Sequence, residues 1–144
     1  MAIERITGGS KTDERGTVRF VNDFDMAAVR RFYVVENANG CPFRGWVAHR
    51  VERKWFTCLA GSFILHFVPI DNPDHLPSDL AVESFAMEAD KPSILVVPGG
   101  YAIGIETCSE GAKLVVFSDR LLGELSGDTW RWPKEQWAIK PQGV

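Results

Sequence analysis

Short runs of β-branched and aromatic residues recur along most of the chain, separated by Gly, Pro, Asn and Asp. Such runs are typical of strands in an antiparallel sandwich or barrel, whereas helical periodicity is almost absent. Nine short strands in one chain indicate two packed sheets. The pattern predicts strands over 17–22, 30–36, 46–49, 54–60, 62–69, 81–87, 93–97, 102–106 and 112–117.

Two glycine turns organise the middle of this pattern. We expect a tight reversal at Ala60-Gly61 and a turn at 98–100, Pro-Gly-Gly, with the glycines supplying positive φ. The polar stretch 71–79 contains two prolines, so it is predicted to be a loop outside the core. His75 within it is expected to be an exposed loop residue.

The end of the chain has a different pattern. Apolar residues follow Leu121 in a loose helical spacing, and three tryptophans come after them at positions 130, 132 and 137. This spacing predicts a short helical tail whose tryptophans pack on the sandwich or on a second subunit.

Composition supports one domain. The chain has 144 residues, 45% hydrophobic and 24% charged, as in ordinary globular proteins. A chain of this length buries roughly 70% of its unfolded surface and needs neither metal nor disulfides for a core. We therefore predict a single domain over 1–144, with its core at about 13–118 and a tail at 119–144.

Charge and apolar runs exclude several kinds of partner. The net charge is −3 and the longest basic run is the pair Arg30-Arg31, which argues against binding to nucleic acid or to an anionic membrane. No apolar stretch approaches the roughly 20 residues that span a bilayer, and the amino terminus is charged. We expect a cytoplasmic protein.

The three cysteines form neither a disulfide framework nor a zinc motif. They are odd in number and widely spaced, without a CxxC pair, so we expect them to be reduced. Cys58 and Cys108 lie beside apolar strand residues and are predicted to be buried small side chains.

Two stretches carry the most informative motifs. Residues 44–62 read Arg-Gly-Trp-Val-Ala-His-Arg-Val-Glu-Arg-Lys-Trp-Phe-Thr-Cys-Leu-Ala-Gly-Ser, and residues 97–104 read Val-Pro-Gly-Gly-Tyr-Ala-Ile-Gly. Together they resemble the two-motif core of a cupin, which implies an all-β jelly-roll barrel. The metal-ligand positions of that pattern fall on Val47, His49, Lys54 and Ile103. An ammonium group and two aliphatic side chains do not bind a cation, so neither a metal nor another cofactor is expected.

Further motifs resemble the metal-free sugar-nucleotide 3,4-ketoisomerases, which carry Asp-x-Arg-Gly, Arg-x-Tyr, Arg-Gly-x-His-Ala-His and Cys-Leu-x-Gly-Ser. The matching segments here are Asp13-Glu14-Arg15-Gly16, Arg31-Phe32-Tyr33, Arg44-Gly45-Trp46-Val47-Ala48-His49 and Cys58-Leu59-Ala60-Gly61-Ser62. The resemblance spans roughly 13–118. It departs at Val47, where that family has the first of two histidines.

The dTDP-4-dehydrorhamnose 3,5-epimerases are also similar, in Asp-x-Arg-Gly, in Arg-Gly and in a lysine seven residues before the turn glycine, here Lys54. Their catalytic histidine falls at Val47, their second-motif histidine at Ile103, and their tyrosine within 114–116, which has no phenol. The 3,5-epimerase pattern is therefore the weaker match. Residues 20–25, Phe-Val-Asn-Asp-Phe-Asp, resemble bacterial proteins labelled as sugar epimerases or isomerases.

The chemistry of such enzymes suggests roles for three residues. Removing a proton beside a carbonyl requires a base near neutrality and a donor or cation at the enolate oxygen. We expect His49 to be the base, with Tyr33 or Lys54 at the oxygen. His49 and Lys54 share a face of the sheet only if the chain turns around 51–53. The alternatives are a core or rim histidine, a surface lysine and a half-buried tyrosine.

The substrate-binding candidates are Arg15, Arg31, Arg44, Trp46, Tyr101 and His66. Guanidinium forks suit a diphosphate, although structural salt bridges are the alternative for the arginines. The aromatic side chains would form the wall of the sugar site, with ordinary packing as their alternative.

The sequence thus predicts a metal-independent isomerase or epimerase of a nucleotide-linked 4-keto-6-deoxy sugar, dTDP-linked, in deoxysugar or polysaccharide biosynthesis. The reaction expected is a 3,4-ketoisomerase-type proton transfer through an enediolate. A sugar-nucleotide binder without catalysis and a 3,5-epimerase variant remain as alternatives. The resemblance also implies a homodimer paired through the amino-terminal strands.

Overall fold

Two antiparallel five-stranded sheets form a sandwich in the computed structural model, which describes residues 2–139. The strands are β1 (Glu4–Thr7), β2 (Gly9–Asp13), β3 (Gly16–Phe20), β4 (Arg31–Val35), β5 (Phe43–His49), β6 (Lys54–Ala60), β7 (Ser62–Pro69), β8 (Glu83–Glu88), β9 (Ser93–Val97), β10 (Tyr101–Thr107), β11 (Lys113–Ser118) and β12 (Trp130–Arg131). The sheet orders are β1-β9-β6-β11-β4 and β12-β5-β10-β7-β8, and β2 and β3 form a separate hairpin.

The main core lies between the sheets and follows from the alternation of side chains along each strand. Phe56 and Leu114 from the first sheet meet Leu65 and Phe67 from the second, and each is at most 1% exposed. Full burial of a large apolar side chain contributes about 1.5–3 kcal/mol. These positions therefore hold the two sheets together around the cavity described below.

A second apolar cluster covers the outer face of the second sheet. Trp46 and Val68 are fully buried there, beneath the tail residues Trp130, Trp132 and Trp137. Strand β12 pairs with β5 and carries part of this cover. The tryptophans of the tail thus pack on their own sandwich.

The tail contains little helix. Its helical part is one 3-10 turn, Leu122–Leu125, after which the chain passes through Gly127 at a φ of 78° and continues into β12. The end of the predicted 119–144 tail, beyond residue 139, lies outside the described residues.

All nine strands predicted from the alternation are present, and β6, β7 and β9 have the predicted bounds. Gly61 and Gly100 have positive φ values of 69° and 92°. The expectation of positive φ was wrong for Gly99. That position lacks room instead, because a Cβ there would lie 2.1 Å from the backbone oxygen of Arg50.

The loop over 71–79 contains neither strand nor helix, and His75 is exposed, as predicted. The prediction of burial was correct for Cys58 and wrong for Cys108, which is exposed beyond the end of β10. All three cysteines are free. No helix within residues 2–139 is long and apolar enough to cross a membrane.

Candidate active site

A cavity between the two sheets brings the three predicted catalytic side chains together. Its inner part has a volume of about 230 Å³ and its mouth about 410 Å³. Both parts are lined by Tyr33, His49, Lys54 and Arg131. A base, two cationic groups and a phenol therefore surround one space.

Three neighbouring strands of the first sheet supply one wall of this cavity. In the register of β4, β11 and β6, Arg31, Ser118 and Lys54 lie side by side. Tyr33 is two residues further along β4, so its side chain faces the same way as that of Arg31. This register explains why separate sequence motifs converge on one site.

Strand β5 supplies the opposite wall. Val47 and His49 face the cavity, whereas Trp46 lies in the outer cluster. The pairing of β5 with β10 shifts register between Ile103 and Ile105. Such an irregularity changes which side of the sheet a residue faces.

The connection between β5 and β6 is not a strand. This break allows His49, at the end of β5, and Lys54, at the start of β6, to face the same cavity. The connection contains Glu52, whose side chain is fully buried. Its Oε1 lies 3.5 Å from His49 Nε2 and 3.4 Å from Lys54 Nζ. Glu52 was not among the predicted site residues, because a glutamate among Arg and Lys residues is typical of a solvated edge.

The other oxygen of Glu52 is held by hydrogen bonds. Its Oε2 accepts from Arg31 at 3.1 Å and from the hydroxyl of Ser118. Arg31 also donates from Nε to the backbone oxygen of Arg120. Arg31 therefore serves as a partner of a buried carboxylate, which is one of the alternatives open from the sequence.

The imidazole of His49 is oriented from the tail. Its Nδ1 lies 2.7 Å from the backbone oxygen of Asp128, so Nδ1 donates the hydrogen bond and Nε2 is the proton acceptor of the neutral ring. The Asp128 carboxylate accepts from the backbone N–H groups of Arg50 and Val51, at 2.8 and 3.1 Å. The tail thus fixes both the imidazole of His49 and the connection that follows it.

Burial lowers the pKa of His49 below its ordinary value, and the charge of Lys54 lowers it further. The hydrogen bond to Asp128 and the charge of Glu52 act in the opposite direction. The imidazole is therefore held as a neutral base at neutral pH.

Tyr33 lies beside the cationic groups of the cavity. The guanidinium of Arg31 is 5.1 Å from the centre of its ring, and the ammonium of Lys54 is 6.0 Å away. Cations over a ring face are attracted by its quadrupole, so these contacts hold the phenol at the cavity wall.

Two arginines flank the inner cavity. Arg44 is on β5, and Arg131 on β12 stands opposite Val47 in the pairing of these strands. Both are exposed, so their guanidinium groups are available to an anion. Arg131 was not among the predicted site residues, because it comes from a region predicted to be a helical tail and reaches the cavity only because that region forms β12.

Two predicted binding residues lie elsewhere or at the margin. Arg15 is at the end of the β2–β3 hairpin, where its exposed guanidinium pairs with Asp13 at 2.7 Å. Tyr101 is opposite His49 in the β10–β5 register, and its ring contacts that of Phe67 at 6.3 Å. Burial raises the pKa of Tyr101.

His66 faces away from the cavity, toward the outer cluster. Its Nδ1 is 2.7 Å from the hydroxyl of Ser84 and its Nε2 is 2.8 Å from Glu106. The ring also packs near Trp46. The structure therefore places His66 and Trp46 in the packing beneath the tail, because even-numbered residues of β7 face outward.

Solved structures of other proteins share the fold that holds this cavity. No family model matches the chain, and no curated protein matches it. A 4-keto-6-deoxy sugar epimerase from Streptomyces spheroides has a TM-score of 0.72 at 17% identity, covering 90% of this chain and 68% of that one. A 3,4-ketoisomerase from Thermoanaerobacterium thermosaccharolyticum, in complex with TDP-4-keto-6-deoxyglucose, has a TM-score of 0.67 at 18% identity, covering 90% and 86%.

A third structure is a 3'-monoepimerase from Streptomyces bikiniensis in complex with dTDP-quinovose. Its TM-score is 0.71 at 14% identity, covering 97% of this chain and 79% of that one. The chain shares the jelly-roll fold of these enzymes. The cupin-type fold predicted from the motifs is therefore confirmed, and these three structures belong to the group that the sequence resembles.

The metal-ligand positions of the cupin pattern converge here without a suitable donor set. Val47, His49, Lys54 and Ile103 all line the inner cavity. They present one imidazole, one ammonium group and two aliphatic groups, whereas a transition metal requires several nitrogen, oxygen or sulfur donors. The residues present do not fit a metal ion.

Proposed function

We propose that this chain is a metal-independent isomerase or epimerase of a nucleotide-linked 4-keto-6-deoxy sugar, working as a 3,4-ketoisomerase. The observation that carries the proposal is the convergence of His49, Lys54 and Tyr33 on one cavity of a jelly roll. The fold is shared with enzymes acting on such sugars, which supports the choice of substrate class.

The reaction follows from the positions of these groups. His49 Nε2 removes the proton from the carbon beside the carbonyl, so the C–H bond breaks and an N–H bond forms. The negative charge moves to the carbonyl oxygen, where Lys54 and Tyr33 stabilise it. The imidazolium returns its proton to the former carbonyl carbon. The proton of the neighbouring hydroxyl passes to the former carbonyl oxygen, so a hydroxyl forms there and the new carbonyl forms on the neighbouring carbon.

The apolar part of the cavity suits the sugar. Val47, Phe56, Ile103 and Ile105 line its inner end. A 6-deoxy sugar carries a methyl group in place of a hydroxymethyl group, and an apolar wall accepts that methyl without leaving a hydroxyl unpaired. The same wall excludes water from the enediolate.

The nucleotide diphosphate is proposed to lie beside the inner part of the cavity, between Arg44 and Arg131. Guanidinium groups bind two phosphate oxygens at once, and both side chains are exposed beside the cavity. Related folds have been solved with TDP or dTDP sugars, which supports a thymidine nucleotide here.

Turnover of dTDP-4-keto-6-deoxyglucose tests the proposal. The sugar is followed by NMR with wild-type protein, with His49→Asn and with the loop variant His75→Asn. A 3-keto product formed by wild type and His75→Asn but not by His49→Asn supports it. Saturable binding of dTDP without turnover would favour the non-catalytic binder, and neither binding nor turnover would reject the substrate class.

We also propose a cytoplasmic homodimer that serves deoxysugar or polysaccharide biosynthesis. The β2–β3 hairpin forms a separate two-stranded sheet and leaves Val18 at 66% exposed. An isolated two-stranded hairpin is marginally stable by itself, so a second copy is the natural support for it. Light scattering at micromolar concentration checks this, and a monomeric mass would reject it.

A further inference from the structure

Glu52 is the one carboxylate lining the cavity within residues 2–139, and its two oxygens differ. Oε2 is held by Arg31 and Ser118, so the carboxylate has a fixed orientation. Oε1 is buried and accepts no hydrogen bond from the part of the chain described. A buried oxygen without a donor is costly, which suggests that it gains a partner at some stage of function.

Two nitrogen atoms approach this oxygen, Nζ of Lys54 at 3.4 Å and Nε2 of His49 at 3.5 Å. Of the two, Nε2 is the atom that takes up a proton in the proposed reaction. In the neutral ring Nδ1 holds the proton, because it donates to Asp128, and Nε2 presents a lone pair toward the carboxylate. When Nε2 takes a proton, it becomes a donor and carries a positive charge. Glu52 therefore attracts the protonated ring and gains little from the neutral one.

We propose that Glu52 is a positioning residue that stabilises His49 in its protonated state, after the base has taken the substrate's proton. This inference deepens the proposed function and rests on His49 as the base. Lys54, 3.4 Å from the same oxygen, opposes protonation of the imidazole. The two charges therefore act on the basicity of His49 in opposite directions.

The need for such a residue follows from Val47. The resemblance to 3,4-ketoisomerases implies a second histidine at that position, where this chain has an aliphatic side chain. His49 is the only imidazole lining the cavity within residues 2–139, so it both removes and returns the proton. A base that holds the proton between these two events benefits from a nearby anion.

Several other polar groups surround the imidazole and contribute to its titration. The charged and polar groups that face His49 or line the same cavity are Arg31, Tyr33, Arg44, Glu52, Lys54, Ser126, Asp128, Thr129 and Arg131. Of these, Glu52 is the one whose carboxylate approaches Nε2. Removing its charge should therefore act on His49 more strongly than a change at the rim.

The test is an NMR titration of the histidine rings in the free protein, which requires no substrate. The chain has three histidines, so the signals are few and can be assigned with His→Asn variants. Glu52→Gln keeps the shape of the side chain and removes its charge. We expect the pKa of His49 to fall by about one unit or more, because an opposite charge within 4–6 Å shifts a pKa by about 1–3 units.

A matched control uses the other histidine–carboxylate contact. Glu106→Gln removes the carboxylate beside His66 and should change the His66 signal without moving the titration of His49. Lys54→Met should raise the pKa of His49. An unchanged or raised pKa of His49 in Glu52→Gln would overturn the proposal and leave Glu52 as a structural partner of Arg31.

A second variant covers the case in which Glu52→Gln does not fold. Glu52→Asp keeps the charge but withdraws it from Nε2 by one methylene, so a smaller fall of the pKa of His49 is expected, and no fall would contradict the proposal. In active protein, the acidic limb of kcat/KM should move with the pKa of His49 in these variants while KM stays unchanged. Because the titration is independent of turnover, its failure is distinct from failure of the proposed reaction.

Discussion

Asp128 connects the tail to the candidate base, and its removal gives the most quantitative prediction. Its carboxylate accepts two backbone hydrogen bonds, from Arg50 at 2.8 Å and Val51 at 3.1 Å, and its residue is 8% exposed. Its backbone oxygen accepts from His49. The stability of the tail and the orientation of the base are thus linked through one residue.

The cost of the change follows from the number of bonds lost. A hydrogen bond to a charged group contributes about 1.5–3 kcal/mol. Arg50 and Val51 are exposed residues whose N–H groups can be rehydrated, so the lower value applies to each bond. Asp128→Ala should therefore reduce the free energy of unfolding by about 3 kcal/mol, and Asp128→Asn, which keeps one acceptor oxygen, by about half of that.

Equilibrium unfolding in urea, followed by tryptophan fluorescence, measures both variants. Asp79→Ala changes an exposed loop aspartate and should stay within about 0.5 kcal/mol of wild type. Asp128→Ala should also move the ring signals of His49 more than Asp79→Ala does. A free energy of unfolding for Asp128→Ala equal to that of the loop control would refute this account of the tail.

Three further predictions concern packing, reactivity and pH. Gly99→Ala should destabilise the fold by about 3 kcal/mol in urea, because its Cβ would meet a backbone oxygen at 2.1 Å, whereas Gly123→Ala, in open space, should not. Cys58 is buried and its pKa is raised to about 11, whereas Cys41 is exposed. Mass spectrometry after alkylation at pH 8 should therefore find Cys41 modified and Cys58 protected until urea is added. Equal alkylation rates for the two cysteines would contradict this prediction. The pKa of His49 is lower in the folded state, so the unfolded chain binds more protons between that pKa and about 6.5. The contribution of His49 to the free energy of unfolding is therefore complete above about pH 6.5 and is lost as the pH falls through the folded pKa. In His49→Gln the free energy of unfolding, measured in urea, should decline less steeply over that pH window. An unchanged slope would count against a lowered pKa for His49.

The strands that form the core could be predicted because their hydrophobic patterns are continuous. Strands β6, β7 and β9 are buried along most of their length, so their apolar runs mark their ends. Strands β1 and β2 read Glu-Arg-Ile-Thr and Gly-Ser-Lys-Thr-Asp and are mostly exposed. Strand β1 pairs with β9, which is distant in sequence, and β2 pairs with β3 in an exposed hairpin, so neither has a buried face that a hydrophobic pattern would mark.

The site was predictable where motif and strand alternation agree. His49, Lys54 and Tyr33 lie on strands whose inner faces follow from the alternation, and the motifs selected them. Glu52 and Asp128 were missed because each acts through a loop. Their roles depend on where the loop returns to the sheet, which sequence spacing does not specify.

The outward placement of His66 also could not be predicted from the pattern of its own strand. An apolar strand with one histidine allows either face, and the choice depends on which face the neighbouring strands bury. Here Ser84 and Glu106 on the adjacent strands take both ring nitrogens. Only the three-strand register reveals this pairing.

Solvent exchange at the substrate carbon tests the central claim most directly. The protein is incubated with dTDP-4-keto-6-deoxyglucose in deuterated water, and the C3 proton is followed by NMR for wild type and His49→Asn. We predict that wild type removes the C3 proton, by exchange with solvent or by conversion to the 3-keto product, and that the variant retains it, because Nε2 of His49 takes that proton. Loss of the C3 proton at the wild-type rate in His49→Asn would contradict the account, and so would its retention by wild type that binds the sugar nucleotide.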